Sequence, residues 1–184
     1  MRKQSGRGPS HVDPEKVFET ALCFEQASRL LYHVATQKLT KSTQQTVVLP
    51  TMVPAMANEA LSLEIYLKCL WALDHADMRI SGHMLYNELF VNLSNVRQAE
   101  VEALYDEEAN ADDIFLHMRQ QHPNKSFSLI DSLKEADAGF VEWRYIYEGV
   151  NSSPHGLKLA IRAVRRLILT IKPEWVRYLK THQI

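Results

Sequence analysis

The chain has 184 residues, 21 basic against 22 acidic for a net charge of -1, with 46% hydrophobic residues, six Gly and seven Pro. That length predicts a single domain able to bury roughly 70% of its unfolded surface without staples, and the charge balance leaves no global field to draw it onto nucleic acid or a membrane. Two cysteines inside apolar runs, Cys23 and Cys69, form no disulfide framework, and no apolar run approaches the length of a bilayer span or a signal peptide; a cytoplasmic protein without membrane contact is expected.

Residues 1–12 hold Arg2, Lys3 and Arg7 with almost nothing to bury and read as a disordered basic tail, ahead of one helical domain over 13–184. Asp13 at an N-cap, Pro14 at N1 and Glu15 in the first turn predict a helix start. Val17, Ala21, Phe24, Ala27 and Leu31 then carry a helical apolar stripe to about Thr36. A Thr-, Gln- and Ser-rich connection over 36–50 leads to a helix over about 52–76, apolar on nearly every face apart from Ser62, Glu64 and Lys68. Such a helix belongs at the centre of a bundle, or at its centre and an oligomer interface.

After a polar break, His83 opens a short helix carrying Leu85, Leu89 and Leu93. A fourth is expected over 96–121 with an acidic middle, a fifth over 126–148, and a sixth from Leu157 to Ile171, followed by another turn or two around Trp175. No segment alternates with period two, so the fold class is all-α, an antiparallel bundle of five to six helices.

Several chemistries are excluded by residue type and spacing. The six glycines, at 6, 8, 82, 139, 149 and 156, are scattered, so no phosphate-cradling loop forms. His117 and His122 are five apart without an adjacent Glu, and no Glu-x-x-His pair occurs, so no metal site is expected. Cys69 lies mid-helix among apolar residues, a core position rather than a nucleophile's.

The remaining polar residues stand out by their settings. Glu64 and Lys68 are four apart on the most apolar helix, where charges need partners. Arg144 and Glu148 repeat that spacing beside Phe140, Trp143 and Tyr147, and His83 sits at a helix start. Acids crowd residues 98–113, whereas Lys158, Arg162 and Arg166 form a basic stripe. That stripe either faces an oppositely charged helix or forms a nucleic-acid contact strip; without interleaved aromatics the first is favoured.

Three ordered blocks over roughly residues 14–170 suggest a family. They are Asn58-Glu59-Ala60-Leu61-Ser62-Leu63-Glu64-Ile65-Tyr66-Leu67-Lys68, Gly82-His83-Met84-Leu85-Tyr86-Asn87-Glu88-Leu89 and Phe140-Val141-Glu142-Trp143-Arg144-Tyr145-Ile146-Tyr147-Glu148. Together they resemble the HEPN domains (higher eukaryotes and prokaryotes nucleotide-binding). The resemblance implies a helical bundle, commonly a homodimer, in bacterial or archaeal defence and toxin-antitoxin systems, often with a nucleotidyltransferase-type protein partner. Many members are metal-independent RNases in which an Arg, four to six residues and then a His meet across the dimer. There the His transfers the 2'-OH proton and the Arg stabilises charge on the phosphorane.

Here Arg144 is followed by His only at His155, and Arg79 and His83 have three residues between them. Only Arg177 and His182 fit the spacing. The expectation is therefore a non-catalytic HEPN-like module that binds RNA, a nucleotide or a protein partner, without cofactor, through a network of Glu64, Lys68, His83, Arg144 and Glu148. The alternatives are a metal-independent endoribonuclease using Arg144, or Arg177 with His182, and an adaptor or antitoxin-like subunit.

Overall fold

The computed structural model describes residues 11–41, 49–76, 79–142 and 156–181, and every regular element among them is helical. The first ten residues of the proposed tail lie outside this set, as do Arg144, Glu148 and His182. No helix of the described residues is long and apolar enough to cross a membrane.

Helix α1 spans Pro14–Lys41 and opens as its sequence predicts, with the Asp13 carboxylate accepting the Glu15 N-H at 3.1 Å. It continues five residues past Thr36, whose hydroxyl bonds back to the Tyr32 and His33 carbonyls and so is satisfied inside the helix. Helix α2, Leu49–Asp74, begins earlier than expected, with Pro50 in a first turn where the missing N-H has no use. The predicted fifteen-residue connection thus contracts, and only residues 42–48 separate the two helices.

The short third helix is instead a π turn at Leu85–Leu89 running into a 3-10 turn at Phe90–Asn92, and it buries Leu85, Leu89, Phe90 and Leu93. Its geometry follows from a carboxylate the sequence reading did not single out. Asp137, 4% exposed, accepts backbone N-H groups from Leu85, Tyr86 (3.2 Å) and Asn87 (3.3 Å), while Glu88 accepts those of His83 (2.7 Å) and Met84 (3.0 Å). Burial raises the Asp137 pKa against the opposing effect of these three donors. Asp137→Ala is expected to cost about 2 kcal/mol, because three inward N-H groups lose their acceptor. Faster amide exchange at residues 85–87 and a lower urea midpoint would verify this; unchanged exchange would refute the capping role.

The predicted helix over 96–121 is two helices, α3 at Asn95–Ala111 and α4 at Asp113–Gln121. Asp112 divides them: its backbone is extended and its side chain caps the Phe115 N-H at 3.0 Å, ending one helix and starting the next. Helix α5, Leu129–Glu142, starts at Ser128, whose Oγ accepts the Asp131 N-H while donating to its carboxylate at 2.6 Å. Helix α6, Leu157–Ile171, buries the predicted Leu157, Ala160, Ile161, Val164, Leu167 and Ile168. A 3-10 turn over Pro173–Trp175 leads to α7, Val176–Thr181.

As its all-round apolarity predicts, α2 is central, packing on α1, α6, α5 and the π turn, while α3 closes on α6. Phe18 of α1 joins the two ends of the chain, its ring 5.7 Å from Tyr66 and 5.3 Å from Trp175.

Candidate functional site

Of the five residues of the predicted network, Glu64, Lys68 and His83 meet, while Arg144 and Glu148 lie outside the described residues. Glu64, 4% exposed on α2, accepts the Lys68 ammonium at 2.6 Å and His83 Nδ1 at 3.0 Å on the same oxygen, Oε1. A carboxylate can only accept, so His83 carries its proton on Nδ1 in this contact. Glu64 Oε2 is buried and has no hydrogen-bond partner among the described residues. Lys68 also lines a cavity of about 350 Å³ with Lys16, Val17, Ile65, Arg79 and Ile80. Asp13 lines the same opening, 3.9 Å from the Lys16 ammonium, so three cations and one acid meet there, with Lys68 tied to buried Glu64.

The predicted basic stripe divides. Arg166 donates to Glu107 at 2.9 Å and Glu108 at 2.7 Å, and Arg162 lies 3.8 Å from Glu108 and 3.6 Å from Asp112. These two arginines therefore face the acidic segment on α3, the helix pair of opposite charge that the sequence favours. Lys158 goes elsewhere, its ammonium 3.9 Å from the centroid of the Tyr32 ring. Arg177 is held by Glu15, whose Oε1 also accepts the Tyr178 hydroxyl at 2.6 Å.

A second polar cluster, between α1, α2 and α6, escaped sequence reasoning. Glu25, 6% exposed, accepts Arg165, Arg29 at 2.5 Å and the Tyr66 hydroxyl at 2.9 Å. Burial works to lower the Arg165 pKa, but the Glu25 charge and its hydrogen bonds outweigh it, so the guanidinium is held more firmly. Burial, reinforced by the Glu25 charge, pushes the Tyr66 hydroxyl well above its ordinary value. Nearby, Glu59 (7% exposed) accepts the Tyr32 hydroxyl at 3.1 Å.

Burial raises Glu59 to about 7, with Lys158 and the Tyr32 bond pulling it down and Glu25 pushing it up. The folded pKa thus exceeds the unfolded one of about 4.5, so the stability this group contributes below about pH 4.5 is lost as the pH rises through about 7. Both acids line a cavity of about 460 Å³ together with Arg29, Tyr32, Lys158 and Arg162.

The signal for this cluster lay in the register of α1. The face that is buried is Phe18, Ala21, Leu22, Glu25, Ser28 and Ala35, whereas Phe24, Ala27 and Leu31 of the predicted stripe are only partly covered. Glu25 and Ser28 continue the spacing from Phe18 and Ala21, so polar residues at inward positions marked the site.

No family model matches the chain, and comparisons with curated proteins and with solved structures return no match.

Proposed function

We propose that this protein is a HEPN-like binding module without RNase chemistry of its own, and that it receives the phosphates of RNA or of a nucleotide beside the Glu64 network. The observation that carries this reading is the juxtaposition at Lys68. A buried carboxylate orients Lys68 and His83, and Lys68 borders an opening shared with Lys16 and Arg79. Cations around a recess are what phosphate recognition needs, and the buried acid that holds Lys68 reduces the ordering cost for that side chain. Arg177, the arginine with the RNase spacing, forms an exposed ion pair with Glu15 and also bonds the Tyr178 hydroxyl.

Incubating the protein with labelled single-stranded RNA in EDTA and running one gel for shift and cleavage tests this. The expected result is a shift without cleavage that weakens with salt. Three phosphate contacts on a single strand imply roughly a twentyfold loss of affinity between 50 and 200 mM salt. Lys16→Ala combined with Arg79→Ala is expected to weaken binding about tenfold or more while leaving the melting temperature nearly unchanged, since both are surface cations. Cleavage that follows the protein through purification and disappears in Arg144→Ala or His182→Ala would establish the endoribonuclease alternative instead. Absence of any shift would leave the adaptor reading, tested by a stable complex with a protein partner that is indifferent to RNA.

A further inference from the structure

Two buried carboxylates face the space between α1, α2 and α6, and they are treated differently. Glu25 has a tyrosine hydroxyl from Tyr66 and two guanidinium groups, from Arg165 and Arg29. Glu59 has the equivalent tyrosine hydroxyl, from Tyr32, and that is its only hydrogen bond among the described residues. Lys158 acts on Glu59 through its field, yet its ammonium stands over the Tyr32 ring and makes no ion pair with the acid. Glu59 therefore lacks the close cation that Glu25 has, although it is as deeply buried and lines an open cavity of about 460 Å³. That volume is in the range of small-molecule sites.

The mouth of this cavity has the opposite character. Arg29, Lys158 and Arg162 line it, with side chains of Arg29 and Arg162 that are 64% and 43% exposed. Arg29 is already bonded to Glu25 and Arg162 faces Glu108 and Asp112, so Lys158, over the Tyr32 ring, is the lining cation left for an anionic group, while Glu59 is the lining acid left for a cationic one. A molecule carrying both charges complements the Glu59 and the Lys158 ends of the cavity together.

We propose that this pocket binds a small zwitterion of the amino-acid type, its ammonium paired with buried Glu59 and its carboxylate held by Lys158 at the mouth. The site is separate from the Lys68 opening, goes beyond the binding function proposed above, and requires no RNA.

The test uses the ω-amino acids from glycine to 6-aminohexanoate as probes, with hexylamine and hexanoate as single-charge controls, read first by thermal shift at pH 6.5. At least one amino acid of the series is expected to raise the melting temperature by about 3 °C at tenfold excess over its dissociation constant, with smaller shifts from either control. Chain length then reports the distance from Glu59 to the mouth.

Glu59→Gln, nearly isosteric, and Lys158→Met, at an exposed position, should each reduce the shift at least fivefold. Calorimetry in two buffers of different ionisation enthalpy gives a second readout. Pairing with an ammonium lowers the Glu59 pKa, so wild type releases a fraction of a proton on binding at pH 6.5 and Glu59→Gln releases none. The titratable and charged groups that share the cavity with Glu59 are Tyr32, Glu25 and Arg29 from α1 and Lys158 and Arg162 from α6, with Arg165 bonded to Glu25; Tyr32, pushed upward by burial, stays neutral throughout. No shift from any amino acid of the series, equal shifts from hexylamine or hexanoate, or shifts that persist in Glu59→Gln would overturn the proposal. Such a failure leaves RNA binding at Lys68 untouched.

Discussion

Arg165→Ala is expected to lower folding stability by about 3 to 5 kcal/mol, the usual result of leaving one member of a buried ion pair behind. Glu25 is 6% exposed, and Arg165 approaches it from α6 with a side chain that is itself 16% exposed. Without that guanidinium the carboxylate keeps the neutral Tyr66 hydroxyl and Arg29, whose side chain is 64% exposed and whose charge is screened by water. The melting temperature should fall by on the order of 10 °C for a chain of this size.

Two companion variants separate the causes. Arg29→Ala should cost under about 1 kcal/mol, as exposed pairs do. The double variant Glu25→Gln with Arg165→Met should recover much of the loss, because no uncompensated charge then remains inside. Urea titration of the four proteins tests the argument; an Arg165→Ala midpoint within error of wild type would show that water reaches Glu25 freely.

Gly156→Ala should destabilise by about 3 kcal/mol, for two reasons that add. Gly156 precedes α6 with φ of +96°, where an L side chain is strained. A Cβ there would also lie 2.3 Å from the Tyr105 hydroxyl oxygen and 2.6 Å from Ser132 Oγ. Neither can retreat easily, because Tyr105 is fully buried and the two hydroxyls hydrogen-bond to each other at 2.9 Å.

Gly82→Ala provides the contrast, since φ is +122° there too but the Cβ meets Glu88, an exposed side chain, at 2.9 Å. It should cost less in stability, with the loss concentrated in the His83–Met84 turn that Glu88 braces. Introducing Tyr105→Phe beside Gly156→Ala removes the closest atom, so the alanine should cost less in that background. Equal costs in both backgrounds would assign the effect to backbone strain alone.

The all-helical class, the central position of α2, the inward face of α6 and the Glu64–Lys68–His83 association were legible in the amino-acid order. Periodicity marks which face of a helix is apolar, and a charge on the most apolar helix announces that it needs a partner. The opposed charges of α3 and α6 were legible for the same reason, as two segments of single sign. Arg144, Glu148 and His182 lie outside the described residues, and the cleavage assay with Arg144→Ala and His182→Ala tests two of them.

Other features depended on neighbours far along the chain. Asp112 divides one periodic segment into two helices because its side chain captures a local N-H, a competition that periodicity does not register. Asp137 shapes a turn some fifty residues earlier, and Arg165 reaches Glu25 across 140 residues. The sequence by itself determined the helical class and marked Glu64, on the most apolar helix, as a charge displaced from water. Only the tertiary structure decided which charge meets which, because burial and pairing are properties of the surroundings, and on α1 those surroundings turned inward the face that carries Glu25 and Ser28.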